Sequence, residues 1–129
     1  MKLQEFLQSY DLHDSGVNDV HYSPDQRKVV IDLVLRNWRQ LSYREGEPDS
    51  ISGKLIFTGV SRYEIETEMP ECAFDEDEIL LAKLLPSQDE QKEVLRITLL
   101  AILFPERKEV IKVIWIEAED VVWEVSGPC

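Results

Sequence analysis

Several things are scarce in this chain, and each scarcity removes a class of explanation. There are two cysteines, Cys72 and Cys129, in 129 residues. One lies in an acidic stretch and the other is the last residue, so they read as free thiols of a reducing compartment rather than a disulfide framework. There are two histidines, His13 and His21, eight positions apart. That is too few for a histidine-rich metal centre, because a zinc site wants three or four converging N or S ligands. The chain has no run near the ~18 consecutive apolar residues of a membrane span. Its opening, "MKLQEFLQSYDLHD", has neither the apolar core nor the small-residue cleavage site of a secretory signal. The expected location is cytoplasmic.

Positive charge is also short. Lys and Arg number 14 against 26 Asp and Glu, a net charge of −12. The imbalance is concentrated: residues 1–64 carry 8 basic and 10 acidic side chains, and residues 65–129 carry 6 and 16. Between Glu64 and Glu78 there are eight carboxylates and no Lys or Arg. Nucleic-acid-binding surfaces need the opposite sign. DNA, RNA and anionic membranes are therefore not expected as partners, whereas a basic protein suits the charge.

No Walker loop, G-x-G-x-x-G, C-x-x-C, H-E-x-x-H or G-x-S-x-G occurs. No cofactor, bound metal or catalytic residue is expected, and nothing points to an enzyme.

What is present is alternation. At 43% hydrophobic and 31% charged residues, the composition is that of a globular protein, and the length suits a single domain, 1–129. A chain this long buries about two-thirds of its unfolded surface and needs no covalent staple. Leu3, Phe6, Leu7 and Tyr10 fall on one face of a short helix. Residues 17–22 and "RKVVIDLVLRNW" flank Ser23-Pro24-Asp25-Gln26, a turn signal, and read as a hairpin. "SISGKLIFTGV" and "SRYEIETE" are strands, with Gly59 marking a bulge or bend between them. "EVLRITLLAILF" reads as a strand, with a buried helix as the alternative; Pro105-Glu106-Arg107-Lys108 then turns it into "EVIKVIWIEAED". "VVWEVSG" follows. Residues 77–85 are left as helix or strand, since their leucines decide nothing. The expected fold is α+β and mainly antiparallel, with one short N-terminal helix and about six or seven strands that can pack as two sheets.

Three groups of residues invite a functional reading. His13-Asp14, within "YDLHDSGV", holds the residue types of metal sites and of nucleophilic triads. The competing expectation is a junction, in which Asp14 and Ser15 bond nearby backbone N–H groups and His13 covers the helix end. The acidic run Glu71, Asp75, Glu76, Asp77 and Glu78 lacks the spacing of a calcium loop. It is either a solvated loop or a surface that docks on a basic partner. Trp115 and Trp123 are expected in the core, with Glu124 facing outward beside Trp123. Trp38 and Tyr43 lie among Arg36, Arg39 and Arg44, as an exposed patch or a wet strand end.

"LHDSGV" near the start and "VVWEV" at the end resemble small bacterial immunity-type proteins of polymorphic toxin systems. The resemblance implies a cytoplasmic α+β protein that neutralises a toxin by binding it, with His13, Asp14, Trp123 and Glu124 at the matching positions. The primary expectation is therefore a non-enzymatic acidic binding protein, an immunity-like inhibitor of a basic toxin. Its partner-binding residues would be Glu71, Asp75, Glu76, Asp77, Glu78 and Glu124. A small metal-dependent hydrolase or ligand-binding domain using His13 and Asp14 is one alternative. A homo-oligomer paired through a strand edge is another.

Overall fold

Alternation of apolar and polar residues dominates the chain, and strands follow from it. A computed structural model describes residues 1–69 and 73–128. Helix α1 spans Leu3–Ser9. The strands are β1 Gly16–Ser23, β2 Lys28–Arg36, β3 Ser50–Thr58, β4 Arg62–Thr67, β5 Asp77–Leu85, β6 Glu93–Leu103, β7 Lys108–Ala118 and β8 Asp120–Pro128. A 3-10 turn, Asn37–Arg39, follows β2. The architecture is the expected one, mainly antiparallel β with a short N-terminal helix. The strands number eight, and they form one sheet in the order β4-β7-β6-β5-β1-β2-β3-β8. Residues 77–85, ambiguous in sequence, are β5. Residues 93–103 take the strand reading rather than the helical one.

Two meanders of antiparallel neighbours, β1-β2-β3 and β5-β6-β7, form most of this sheet, with short turns at β1-β2 and β6-β7 and a longer connection, residues 37–49, between β2 and β3. Among the described residues two ladder pairs join them, Gly16 with Glu78 and Val17 with Asp77. Bulges interrupt β1 between Val17 and Asp19 and β5 between Ile79 and Leu81. A bulge bends its strand and increases the twist. Just beyond this seam the two halves diverge and fold towards each other. Tyr22 of β1 meets Tyr63 of β4, ring centroids 4.9 Å apart, although three strands lie between them in the sheet. Gly59, at φ +64°, bends the chain from one half to the other. Val60 N–H then bonds Arg27 O at 2.9 Å and Ser61 N–H bonds Glu117 O at 3.0 Å. The two packed layers suggested by the sequence are thus halves of one folded sheet.

One core lies between them. Val29, Ile31, Leu33 and Leu35 of β2 face Leu95, Ile97 and Leu99 of β6 and Ile114 and Ile116 of β7 within a single buried cluster. Burial of each such side chain is worth about 1.5–3 kcal/mol relative to exposure. Helix α1 adds Leu3 and Phe6 to the cluster. Trp123 packs against it from β8, above Gly53, where an added Cβ would lie 2.6 Å from the indole. Trp115 is half-buried, and Arg96 stacks on its ring at 5.5 Å. Among the described residues no helix is long and apolar enough to cross a membrane.

Candidate functional site

The seam between the two halves also organises the polar groups singled out in the sequence. Helix α1 ends with Tyr10 N–H bonded to Phe6 O. Asp11 then closes a local turn by accepting from His13 N–H at 2.9 Å. Buried Gln40 reads the backbone of Asp11 from the far side: its Oε1 accepts from Asp11 N–H at 2.8 Å and its Nε2 donates to Asp11 O at 2.7 Å. Asp14 N–H donates to Ile79 O, and Ile79 N–H donates to Ser15 O. These two bonds dock the loop on β5 immediately before β1 begins.

Asp14 occupies the left-handed region at φ +67°, which Asp tolerates better than most residues. Its carboxylate receives three groups. His13 Nδ1 lies 3.0 Å from Oδ1, Arg39 Nη1 lies 3.1 Å from Oδ2, and the Glu78 carboxyl shares a hydrogen bond with it. That bond with Glu78, followed by His13 and Arg39, holds Asp14 below the ordinary carboxylate range against a smaller opposing effect of burial. Glu78 moves the other way. The same hydrogen bond, then burial and the Asp14 charge, raise it above its usual 4.5, partly offset by His13 and Arg36. The two carboxyls are thus pushed in opposite directions, because ionising one disfavours ionising its neighbour.

Arg36, the last residue of β2, ties this loop to the acidic run. Its Nε donates to Asp14 O at 3.0 Å, its Nη1 to Ser50 Oγ at 3.2 Å and its Nη2 to Glu76 Oε1 at 3.1 Å. Arg39 bridges Asp11 and Asp14 and lies 5.3 Å from the Trp38 ring. Gly16 makes room for Glu76: an added Cβ would come within 2.6 Å of Glu76 Cγ.

Beside this network lies a groove of about 580 Å³, whose lining brings Asp14, Arg36, Glu76 and Glu78 together with Trp38, Ile102 and Phe104. The apolar side chains are open to solvent, Trp38 at 48%, Ile102 at 49% and Phe104 at 70% of full exposure. A second groove, about 480 Å³, lies across the His13 ridge between α1 and β5 and carries exposed Leu41 and Leu81.

The acidic run separates by depth. Asp75 and Glu76 are exposed and Glu78 is half-buried. Asp77 is a correction to the expected docking surface, because it is buried at 3% exposure and bonded to Lys112 Nζ at 2.6 Å. Its position in β5, opposite Val17 of β1, turns the side chain into the folded sheet. Lys112 is fully buried on the inward face of β7, donates to Ala73 O at 2.9 Å and lies 4.3 Å from the Phe74 ring centre. Glu71, Cys72 and Cys129 lie outside the described residues. Trp123 and Glu124 sit on β8, four places from β5 in the sheet, and so are not part of the His13-Asp14 cluster. Glu124 faces outward opposite Lys54, as the alternation required.

The junction itself is built differently from the expectation. Asp11 rather than Asp14 or Ser15 caps the local backbone, and the His13 ring goes to Asp14. Ser15 Oγ is buried without a hydrogen-bond partner among the described residues. Among the described residues, no three His, Cys, Asp or Glu side chains are grouped to hold a metal ion. The groups missed in sequence are Gln40, Lys112 and the Ile102-Phe104 wall. Lys112 had a signal, since it falls in phase with Val110, Ile114 and Ile116. The other two had none, because their place depends on which strands become neighbours.

Comparison of the chain with protein-family models, with curated proteins and with solved structures yields no match.

Proposed function

We propose that this protein is a non-enzymatic binding protein of the cytoplasm that captures a basic protein, in the manner of an immunity-like inhibitor masking a basic toxin. One observation carries the reading. The groove at the seam sets exposed Trp38, Ile102 and Phe104 beside Asp75, Glu76 and Glu78, on a chain of net charge −12. Aromatic side chains are the commonest anchors of protein interfaces, and exposed apolar patches bordered by polar groups mark interaction sites. The carboxylates supply long-range attraction for a cationic partner and raise its association rate. The likeness of "LHDSGV" and "VVWEV" to immunity-type proteins points the same way.

The test is affinity capture from lysate of the source cells, using the wild-type chain and the double variant Asp75→Lys/Glu76→Lys. Both substituted residues are exposed, but Glu76→Lys also removes the ion pair with Arg36, so a thermal melt of the variant accompanies the capture to show that the fold is kept. The expected result is a basic protein retained at low salt, released at high salt as screening shortens the reach of the charges, and not retained by the variant. Equal capture by both chains would defeat the reading.

A further inference from the structure

Within the groove, the charges are unequally served. Glu76 has Arg36, and Asp14 has Arg39 and His13. Asp77 is consumed by Lys112 inside the protein. Among the described residues Glu78 has no ion pair of its own and meets Asp14, another carboxyl, across a shared hydrogen bond. The charged groups facing it are Asp14 and His13 from the loop before β1, Arg36 from β2, and Asp75 and Glu76 from the approach to β5. Arg36 is spent on Glu76 and Arg39 on Asp11 and Asp14, so the carboxylates of the groove outnumber its cations. Trp38, just after β2, and Phe104, just after β6, are both solvent-exposed and line the same cavity from either side of the β1-β5 seam.

We propose that the groove receives an arginine or lysine side chain of the partner protein with an apolar neighbour, the cation seating on Asp14 and Glu78 and the apolar residue lying between Trp38 and Phe104. This inference rests on the capture reading above and names its contact. Seating the cation favours the ionised form of Glu78. Because the Asp14 carboxyl and burial raise Glu78 above its usual 4.5, affinity rises with pH as Glu78 ionises and falls on acidification.

The probe is acetyl-Phe-Arg-amide, titrated into the full-length ¹⁵N-labelled protein and compared with acetyl-Phe-Glu-amide. The indole signal of Trp38 is identified by its loss in Trp38→Phe. The Phe-Arg peptide should move the Trp38 indole and Phe104 amide signals saturably, and the Phe-Glu peptide should not. Glu78→Gln should weaken the Phe-Arg peptide by about tenfold or more, the worth of a hydrogen bond to a charged group, and should abolish the pH dependence. Trp38→Ala, a change at an exposed site, should weaken it as well. Equal response to the two peptides, or affinity unchanged in Glu78→Gln, overturns the inference. If the peptide fails while salt-sensitive capture still depends on Asp75 and Glu76, only this contact falls and the capture reading stands. If the peptide binds as described while capture ignores Asp75 and Glu76, the contact stands and the capture reading falls.

Discussion

Replacing Lys112 by methionine gives the sharpest expectation for the fold. The side chains are similar in length, so packing changes little, but a charge partner disappears from the interior. Asp77 at 3% exposure would keep its carboxylate without the ammonium 2.6 Å away. Removing one member of a buried ion pair costs about 3–5 kcal/mol, because the remaining charge is left desolvated. Unfolding entropy is about 2.1 cal/mol/K per residue, which over 129 residues is about 0.27 kcal/mol/K. The expected fall in Tm is therefore about 11–18 °C. The loss is a large part of the ~5–15 kcal/mol that holds a domain together. Thermal and urea unfolding, followed by circular dichroism, measure it. The double variant Lys112→Met/Asp77→Leu should recover much of the loss, since an apolar pair of similar volume often matches a buried ion pair. If Lys112→Met changes stability by less than about 1 kcal/mol, or if the double variant is no better than the single, the argument that the pair's worth lies in avoiding an orphaned charge is wrong.

Two further substitutions probe the packing and the seam. Gly53→Ala would place a methyl group 2.5 Å from Glu124 O and 2.6 Å from the Trp123 ring, so it should destabilise by about 1–3 kcal/mol, the usual cost of overpacking, with a change in indole fluorescence; full wild-type stability would contradict that close approach. Glu78→Gln should raise stability at neutral pH. The raised Glu78 carboxyl binds its proton more tightly when folded, so its ionisation opposes folding above that raised value, and the opposition vanishes as pH falls to 4.5. Asp14 contributes in the opposite sense: its stabilisation is present above 3.8 and is lost as pH falls through its lowered folded value. The gain from Glu78→Gln should accordingly shrink on acidification in a series of Tm measurements, and a gain that grows with acid would contradict a raised Glu78 carboxyl.

The strands were readable where their period was undisturbed. Val29, Ile31, Leu33 and Leu35 alternate cleanly, and Pro24 and Asp25 precede them in a turn, so the β1-β2 hairpin follows from local chemistry alone. Strand β5 was not readable, because its pairing skips from Ile79 to Leu81 and leaves Leu80 in a bulge. The bulge breaks the two-residue period that would have identified a strand. That same bulge sits at the seam, where the sheet folds over, so the ambiguity in sequence marks a real irregularity. The site was legible only in part. His13 and Asp14 draw attention by residue type, but Arg36, Arg39 and Glu78 reach them through topology, with β1 lodged between β2 and β5. No local pattern encodes that neighbourhood. Lys112 and Asp77 illustrate the opposite failure: a charged residue in phase with apolar neighbours was a sign of burial, and a run of four acidic residues concealed the one that turns inward.

The capture experiment with wild type and Asp75→Lys/Glu76→Lys at two salt concentrations tests the central claim most directly. The account predicts one basic protein that binds wild type at low salt, leaves at high salt and ignores the variant. Retention indifferent to both salt and the two substitutions, or no basic protein retained at all, would contradict it.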